Sequence, residues 1–344
     1  EYENVYGMIN GIKGLLEGRY MDLLEEFDTG EKINALKQTP AMYLGSCRFK
    51  LPTHIDNQET YVKLFEILTE LEITDFYYIG GNDSMDTVMK LDDYAKSINS
   101  EIQFIGIPKT IDNDLMGTDH TPGFGSAAKY VASSILEVVH DSLIYQLQSV
   151  TIIEIMGRNA GWITAASALA RRKKGDAPHL IYVPERPFHE DEFLEDVERL
   201  YKEKGGVVVV ASEGLTNVNG ESIVPPIFKS DRAVYYGDVS AYLAELVIKK
   251  LGIKARSEKP GICGRASIAL QATVDRAEAI LVGELAVKAV TSGNGGHMIG
   301  FKRPPGGIYQ VEPVLVPLKD VLLYERKLPE AYINERGNDI TNAY

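Results

Sequence analysis

The amino-acid sequence predicts an α/β protein with mostly parallel sheets, and three observations support this fold class. Short segments rich in valine and isoleucine alternate with helical patterns of ten or more residues, as in parallel βαβ units. Glycine and polar residues follow the same end of four of these segments. The composition, with 44% hydrophobic and 25% charged residues among 344, is that of a globular chain. In open sheets of this kind ligands bind beyond the carboxyl ends of the strands, so we expect the site there.

The elements are assigned in chain order from the spacing of apolar residues. Apolar positions three and four apart predict helices at 59–71, 84–96, 125–148, 161–172 and 191–204. Short apolar runs predict strands at 75–79, 102–108, 150–155, 179–184 and 207–211. The segment 217–231 has no clear period and is predicted to be a loop.

The charge and the cysteine content exclude several classes of partner. Lysine and arginine number 36 against 49 aspartate and glutamate residues, and this net charge of −13 argues against nucleic-acid and membrane-surface partners. The longest apolar runs, such as 207–211, are far too short to cross a bilayer. No secretory signal is visible, and Cys47 and Cys263 lack the spacing of a metal site or a disulfide framework. We therefore expect a protein of a reducing, cytoplasmic compartment.

The most informative segment is the polar turn at 109–114, which follows a predicted buried strand. It places Lys109, Asp112 and Asp114 within six residues. A lysine can hold a phosphate, and carboxylates can take a proton or bind a metal. The turn suits phosphoryl transfer to a hydroxyl, in which one carboxylate accepts the proton and the other orients the hydroxyl or binds Mg²⁺. Taken alone, such a turn is more often a solvated loop with a surface ion pair, and either aspartate could cap it.

Two other strand ends carry residues suited to phosphate. The segment 80–84, Gly-Gly-Asn-Asp-Ser, follows a strand and opens a helix, so its backbone can approach a phosphate. Asp83 and Ser84 could instead simply cap that helix. Arg158 follows another strand, and its guanidinium could stabilise a transferring phosphoryl group or pair with a surface acid. Trp162 is predicted to pack in the core.

Taken together, these motifs resemble the phosphofructokinase family. The matching segments run in the family's order along nearly the whole chain, at 43–48, 80–84, 108–114, 117–119, 156–158, 212–214 and 275–276. The resemblance implies two Rossmann-like three-layer α/β domains with mostly parallel sheets and the active site in the cleft between them. It implies a donor-binding domain of residues 1–123 and 264–310, and a fructose 6-phosphate domain of residues 124–263 and 311–344. Residues 5–18 resemble the family's second unit, so its first strand is expected to be absent from this chain.

The resemblance also implies a reaction and roles for the matching residues. The reaction is transfer of a phosphoryl group to the 1-hydroxyl of fructose 6-phosphate, giving fructose 1,6-bisphosphate, a step of glycolysis. Asp112 would be the general base, with Asp114 beside it. The moving phosphoryl group would be held by Thr110 and Arg158. The sugar phosphate would contact Thr110, Asp112, Met156, Gly157, Arg158, Glu213, Arg256 and Arg265. The donor would face Arg48, Gly81, Asn82, Asp83, Ser84 and Lys109, and Mg²⁺ would bind Asn82, Asp83 and Asp114.

Two positions bear on the identity of the phosphoryl donor. ATP-using members of the family usually have Gly-Gly-Asp-Gly in the glycine-rich motif, and Asp83 stands at the position of the last glycine in this chain. They also carry a small residue where this chain has Lys109. A carboxylate at a close backbone approach adds bulk and like charge against a nucleotide phosphate. A lysine can hold the terminal phosphate of pyrophosphate. Segments 159–162 and 332–339 also resemble the pyrophosphate-using branch, so we predict pyrophosphate as the donor, with ATP as the alternative.

An alternative of another class is a non-catalytic, sugar-phosphate-binding regulatory subunit. Asn82, where the family usually has an aspartate, favours it, and the presence of both Asp112 and Asp114 argues against it. From their surroundings alone, Arg256 and Arg265 would each more simply be surface residues. The family implies a homodimer or a homotetramer.

Overall fold

The computed structural model describes residues 2–144, 149–230, 233–322 and 324–344. Its strands are β1 (Tyr6–Met8), β2 (Tyr20–Asp22), β3 (Asp75–Gly80), β4 (Gln103–Pro108), β5 (Val150–Ile155), β6 (Leu180–Tyr182), β7 (Val207–Ser212), β8 (Pro226–Ser230), β9 (Ala233–Tyr236), β10 (Ala255–Glu258), β11 (His297–Lys302) and β12 (Glu312–Pro317). Its α-helices are α1 (Gly11–Leu16), α2 (Leu23–Glu26), α3 (Gly30–Leu36), α4 (Gln58–Glu70), α5 (Asn82–Ser97), α6 (Phe124–Leu143), α7 (Trp162–Ala166), α8 (Glu190–Lys204), α9 (Val239–Leu251), α10 (Thr273–Thr291) and α11 (Leu318–Val321). Short 3₁₀ turns lie at Ser167–Ala170, Gly261–Arg265 and Glu330–Tyr332.

Two four-stranded sheets organise the described part of the chain. The first has the order β12-β11-β4-β3, in which β3, β4 and β11 run parallel and β12 lies antiparallel at one edge. The second has the order β10-β5-β7-β6, and all of its neighbours are parallel. The predicted α/β class with mostly parallel sheets is confirmed. Within the described ranges, none of the helices combines the length and apolarity needed to cross a membrane.

Helices pack on both faces of each sheet, because successive side chains of a buried strand point to opposite faces. In β4, Phe104 packs with α4 and α5, whereas Ile105 packs with α10. In β5, Ile152 packs toward α8 and α9, whereas Ile153 packs toward α6 and α7. All four side chains are fully buried. Since burying one large apolar side chain contributes about 1.5–3 kcal/mol, these alternating rows are a main source of the cohesion between layers.

Two predicted elements differ in the structure, and a third can be compared only in part. The helix predicted at 161–172 is shorter in the structure, where α7 ends at Ala166. A 3₁₀ turn begins at Ser167, whose hydroxyl donates to the carbonyl of Thr164 at 2.6 Å. The helix predicted at 125–148 is confirmed as far as Leu143, and 145–148 lie outside the described residues. The loop predicted at 217–231 is wrong for 226–230, since β8 pairs with β9 as an antiparallel hairpin, and residue 231 lies outside the described residues. Its apolar side chains are exposed, so no alternation of apolar and polar residues marked the strand.

One part of the predicted domain division also changes. The division placed 311–344 with the second unit, but β12 pairs with β11 along its whole length and so belongs to the first sheet. The apolar side chains of α11 pack in the core of that sheet too. Later in the chain, Leu328 packs in the core of the second sheet, and the carbonyl of Asn338 accepts from the amide of Ile181 at 2.9 Å. The other boundaries stay a prediction.

Candidate active site

The carboxyl ends of β3 and β4 lie side by side and bring two of the predicted motifs together. The amide of Lys109 donates to the carbonyl of Gly80 at 2.9 Å, one step beyond the last paired residues of the two strands. Asn82, at the start of α5, donates its side-chain amide to Asp114 at 2.7 Å. The glycine-rich motif after β3 and the charged turn after β4 therefore share one surface, as expected for parallel strand ends.

Asp112 and Asp114 are half-buried, and their pKa values are raised. Burial is the main cause for both. For Asp114, the charge of Asp112 adds to burial and brings the pKa to about 6. For Asp112, burial outweighs Lys109 and Arg265, whose positive charges favour the carboxylate. The two groups titrate as a coupled pair that takes up a proton more readily than an ordinary carboxylate does.

Lys109 and Arg265 are cations that act on Asp112. Nζ of Lys109 lies 3.8 Å from Sδ of Met42, while part of its side chain stays exposed. Desolvation by the surrounding protein lowers the pKa of Lys109, Asp112 opposes this, and Arg265 adds to it. Arg265 ends the 3₁₀ turn before α10 and is exposed. Two exposed cations beside a carboxylate of raised pKa form a surface suited to a phosphate-bearing ligand.

Hydrogen bonds on both sides of Asp112 fix the segment 109–123, which we call the catalytic loop. Asn113 is fully buried in a left-handed conformation, with a φ of 56° that asparagine tolerates better than most residues. Its side-chain oxygen accepts from the amide of Thr121 at 3.1 Å. The hydroxyl of Thr121 donates to the carbonyl of Thr110 at 2.9 Å, and the amide of Asp112 donates to the Thr110 hydroxyl at 3.1 Å. The backbone around Asp112 is therefore held from both sides.

The ends of β5 and β7 form a second part of the site. The amide of Gly157 donates to Oε1 of Glu213 at 3.2 Å, and the hydroxyl of Ser212 donates to the carbonyl of Gly157 at 2.7 Å. Gly214 packs directly on the backbone of Arg158. A Cβ atom on Gly214 would lie 1.8 Å from the carbonyl oxygen of Arg158, so only glycine fits there. This packing leaves the Arg158 side chain exposed.

Glu325 and Arg326, which the sequence reasoning missed, connect the two parts. The amide of Arg326 donates to the carbonyl of Asp114 at 2.8 Å, and its own carbonyl accepts from the indole N–H of Trp162 at 3.0 Å. The Arg326 guanidinium lies 4.3 Å from the centre of the Trp162 ring, within the range of a cation–π contact. Glu325 accepts from Asn159 at 3.0 Å, and its carboxylate adds negative charge near the aspartates. No motif or period marks this segment in the sequence.

Comparison with known proteins assigns this arrangement to a family. The sequence model of the phosphofructokinase family matches residues 1–290. The chain belongs to the phosphofructokinase family. It is 37% identical over 351 residues to the pyrophosphate–fructose 6-phosphate 1-phosphotransferase of Rhodospirillum rubrum, a match that covers 99% of this chain and 84% of the relative.

Two further relatives of this phosphofructokinase-family chain are similarly close. It is 36% identical to the sulfofructose kinase of Alkalicoccus urumqiensis, over 97% of this chain and 85% of the relative. The solved structure of a pyrophosphate-dependent phosphofructokinase from Marinobacter aquaeolei matches with a TM-score of 0.87 at 35% identity, over 99% of this chain and 81% of that one. The resemblance predicted from the motifs is confirmed, and so is the phosphofructokinase fold.

Most of the predicted donor residues lie at the start of α5, next to the catalytic loop. Gly81 and Ser84 stand at the start of α5, beside the carboxyl end of β4. Asp83 is exposed in the first turn of the same helix. Arg48 is exposed as well, and the segment before it reaches the site through the contact of Met42 described above.

Arg256 lies apart from the other predicted sugar-phosphate residues. It pairs in register with Thr151 near the start of β5, whereas Met156 follows the opposite end of that strand. Since a strand rises about 3.3 Å per residue, the two ends are on the order of 15 Å apart. The guanidinium of Arg256 lies 3.8 Å from Asp141 instead. The structure does not bring Arg256 to the site that this chain forms, which departs from the prediction.

The described residues of the site could supply Mg²⁺ with carboxylate ligands, but not with a complete set of protein ligands. Within the described ranges, no group of three or more histidine, cysteine, aspartate and glutamate side chains could hold a metal ion. Mg²⁺ commonly binds one or two carboxylates and completes its shell with substrate phosphates and water, and Asp114 fits that pattern. Asn82 directs an amide N–H at Asp114. The ligand roles predicted for Asn82 and Asp83 stay a prediction.

Proposed function

We propose that the chain transfers a phosphoryl group from pyrophosphate to the 1-hydroxyl of fructose 6-phosphate, giving fructose 1,6-bisphosphate and phosphate. The observation that carries the proposal is a carboxylate of raised pKa, Asp112, under the influence of two cations, Lys109 and Arg265. A base can then meet a hydroxyl proton while cations neutralise nearby phosphates. Relatives named for this donor and acceptor match nearly the whole chain, which supports the same reaction here.

In the proposed mechanism Asp112 accepts the proton of the 1-hydroxyl as the sugar oxygen attacks the terminal phosphorus of pyrophosphate. The new O–P bond forms while the bridging P–O bond breaks, and the departing phosphate keeps the electron pair. The raised pKa of Asp112 brings the base closer to neutral pH, which general base catalysis favours. Thr110 and Arg158 follow strand ends of the two sheets, where they would stabilise the charge of the transferring group.

Lys109 and Asp83 favour pyrophosphate over ATP in this proposal. The partly exposed ammonium of Lys109 would bind the terminal phosphate. Asp83 stands in the first turn of α5, where backbone N–H groups attract phosphate, and its charge and bulk oppose the further groups of a nucleotide. Because the pyrophosphate bond that breaks and the sugar phosphate bond that forms have comparable free energies of hydrolysis, the reaction should run in both directions.

Mg²⁺ is the proposed cofactor, held by Asp114 with oxygens of pyrophosphate, and with Asn82 and Asp83 as further candidate ligands. When bound, it would neutralise charge on the donor phosphates. We further propose that the protein is cytoplasmic, that it forms a homodimer or a homotetramer, and that it acts in glycolysis.

A second acceptor is favoured by one observation. The relative named sulfofructose kinase is 36% identical to this chain, against 37% for the relative named for fructose 6-phosphate. Sulfofructose is therefore the alternative acceptor at the same site. The residues that act on the hydroxyl and on the donor would keep their roles.

Phosphorus NMR of the purified protein tests donor and acceptor together. With Mg²⁺, fructose 6-phosphate and pyrophosphate, we expect fructose 1,6-bisphosphate and phosphate to appear, and the reverse reaction from the products. Turnover with ATP and none with pyrophosphate overturns the donor, and turnover with sulfofructose alone overturns the acceptor. In the Asp112→Asn control, loss of turnover excludes a regulatory subunit. Binding of fructose 6-phosphate by the unaltered protein without any turnover supports that alternative.

Two variants of Asp83 separate charge from bulk in donor choice. Asp83→Asn removes only the charge, whereas Asp83→Gly removes both. We expect the ratio of kcat/KM for ATP to that for pyrophosphate to rise roughly tenfold in Asp83→Gly and by less in Asp83→Asn. An unchanged ratio in both variants contradicts the steric and electrostatic argument.

A further inference from the structure

His120 stands in the catalytic loop with a carboxylate at each ring nitrogen. Its Nδ1 lies 2.9 Å from Oδ2 of Asp119, the preceding residue in the chain. Its Nε2 lies 2.7 Å from Oε2 of Glu278, which is buried on α10. The imidazole thus connects the catalytic loop to a helix that lies more than 150 residues away in the sequence.

Two aromatic residues, Tyr309 and Phe301, lie next to the contact between His120 and Glu278. The hydroxyl of Tyr309 donates to Oε1 of Glu278 at 2.6 Å and lies 3.2 Å from Nε2 of His120. The imidazole also stacks on the ring of Phe301 in β11, with 5.5 Å between the ring centres. The Glu278 carboxylate therefore has hydrogen-bonding partners at both oxygens, and the ring of His120 is fixed in its plane.

Asp119 faces further charged groups. Nε of Arg303, which follows β11, lies 3.8 Å from its Oδ1. The pKa of Asp119 is lowered, first by the hydrogen bond to His120 and further by Arg303 and Arg326. Asp119 therefore stays ionised and can accept a hydrogen bond from His120 over the working pH range.

The position of His120 in the loop makes this contact relevant to the chemistry. The next residue, Thr121, holds the backbone on both sides of Asp112, through the side chain of Asn113 and the carbonyl of Thr110. The hydroxyl of Thr118 donates to the carbonyl of His120 at 2.7 Å, so the backbone there is tied from the other side as well. A displacement of His120 would pass directly to the residues that hold Asp112.

We propose that His120 is a positioning residue: by bridging Asp119 and Glu278 it holds the catalytic loop, and with it Asp112, against α10. This role rests on the proposed phosphoryl transfer. The same helix supports the end of the loop at a second point, where Asp275 accepts from the amide of Gly123 at 2.8 Å. That second contact contains no histidine, so it provides an internal reference for the first.

The proposal predicts a distinct pH dependence. Burial lowers the pKa of His120, but the hydrogen bonds to Asp119 and Glu278 outweigh it and raise the pKa above its ordinary value. Protonated imidazole donates to both carboxylates, whereas the neutral ring keeps one N–H and turns a lone pair toward the other carboxylate. The contact is therefore complete at pH below the ordinary value near 6.5 and weakens as pH rises through the raised pKa.

The test compares the unaltered enzyme with His120→Gln and Glu278→Gln, and with His189→Gln as a control at an exposed histidine. The readouts are kcat and KM for pyrophosphate and fructose 6-phosphate between about pH 6.5 and 9.5. We expect His120→Gln to lower kcat roughly tenfold or more near pH 6.5, with KM little changed, since small displacements of reacting groups cost large factors in rate. The ratio of the two kcat values should shrink severalfold toward high pH, because the unaltered enzyme loses its contact there.

Glu278→Gln keeps the shape and the acceptor for Tyr309 but removes the charge, so the fall of kcat at high pH should begin at lower pH. A kcat ratio for His120→Gln that is constant over this pH range, or a loss confined to KM, overturns the proposal. Amide hydrogen exchange of residues 119–123 provides a readout without turnover, in which protection should fall with pH in the unaltered protein and be low throughout in His120→Gln. Unchanged protection overturns the contact itself, whereas absence of any turnover in the unaltered protein counts against the proposed function alone.

Discussion

The catalytic loop after β4 and the loop after β5 are joined by Glu325 and Arg326, yet they are fixed by different contacts. Side chains hold the catalytic loop, chiefly those of Asn113 and Thr121. The loop after β5 is held by Ser212 and Glu213 from the end of β7 and by close backbone packing, since Gly214 leaves no space for a Cβ atom.

The difference indicates that the two loops have different roles. In the catalytic loop, burial and neighbouring charges raise the pKa of Asp112 and Asp114, as a site of proton transfer requires. The loop after β5 has a rigid backbone that carries an exposed arginine, Arg158, as a binding surface requires. Substitutions in the first loop should therefore change mainly kcat and its pH dependence, whereas substitutions in the second that leave Arg158 in place should change mainly binding.

Asp114→Asn should have a larger effect than the change of pH and the glycine substitution that follow. We expect kcat to fall roughly a hundredfold, because the carboxylate beside the general base and the donor phosphates is lost. Stability should change in the opposite direction. The pKa of Asp114 is raised to about 6, so the charged form disfavours the fold, and this cost appears as pH rises through 6.

Chemical denaturation checks this second effect of Asp114→Asn. At about pH 8 the free energy of unfolding should rise by up to about 3 kcal/mol, and below about pH 4 the gain should vanish. Asp83→Asn, the same change at an exposed position, should leave stability nearly unchanged. A gain of equal size at both pH values would contradict the assignment of a desolvated charge.

The acidic limb of the pH–rate profile reports the protonation of Asp112 and Asp114. As pH falls below about 6, kcat/KM should drop about tenfold per pH unit, because the coupled pair takes up one proton. In Asp114→Asn the limb should move to lower pH, since the remaining carboxylate no longer has a negatively charged neighbour. Initial rates from about pH 4.5 to 8 measure it, and a limb near pH 4 in the unaltered enzyme would be inconsistent with raised pKa values.

Gly214→Ala tests the backbone packing of the second loop, with the smallest expected effect. The added methyl group meets the carbonyl of Arg158, so we expect a loss of about 1–3 kcal/mol or more in the free energy of unfolding. Gly283→Ala on α10 is the matched control. Its Cβ meets nothing within 4 Å, and it should stabilise the protein by about 0.5–1 kcal/mol. Equal effects of the two substitutions would show that the second loop tolerates displacement.

The sequence was sufficient to predict the alternating strands and helices and the meeting of the motifs after β3 and β4. Both depend on local patterns, since apolar spacing selects the element and parallel strands end at one edge of the sheet. The preference for a phosphoryl donor could also be predicted from the sequence, because Asp83 and Lys109 lie inside those motifs. The relatives named for pyrophosphate agree with that prediction.

Other features of the site depend on contacts between distant segments. His120 meets Glu278, and Arg326 meets Asp114, over separations that leave no periodic signal in the sequence. Arg256 was placed in the site by the family resemblance as a whole, but its register in β10 puts it near the opposite end of β5. The hairpin of β8 and β9 was not predicted, because its large apolar side chains, such as Ile227 and Phe228, are exposed to solvent and do not pack in a core.

One paired measurement tests most directly whether the catalytic loop acts in catalysis and the second part of the site acts in binding. It determines kcat, together with the dissociation constant of fructose 6-phosphate by calorimetry, for Asp112→Asn in the catalytic loop and Glu213→Gln in the second part of the site. We expect Asp112→Asn to lower kcat roughly 10²- to 10⁴-fold with binding nearly retained. We expect Glu213→Gln to weaken binding while kcat changes little. Weakened binding without loss of kcat in Asp112→Asn, or the reverse pattern in Glu213→Gln, would contradict this expectation.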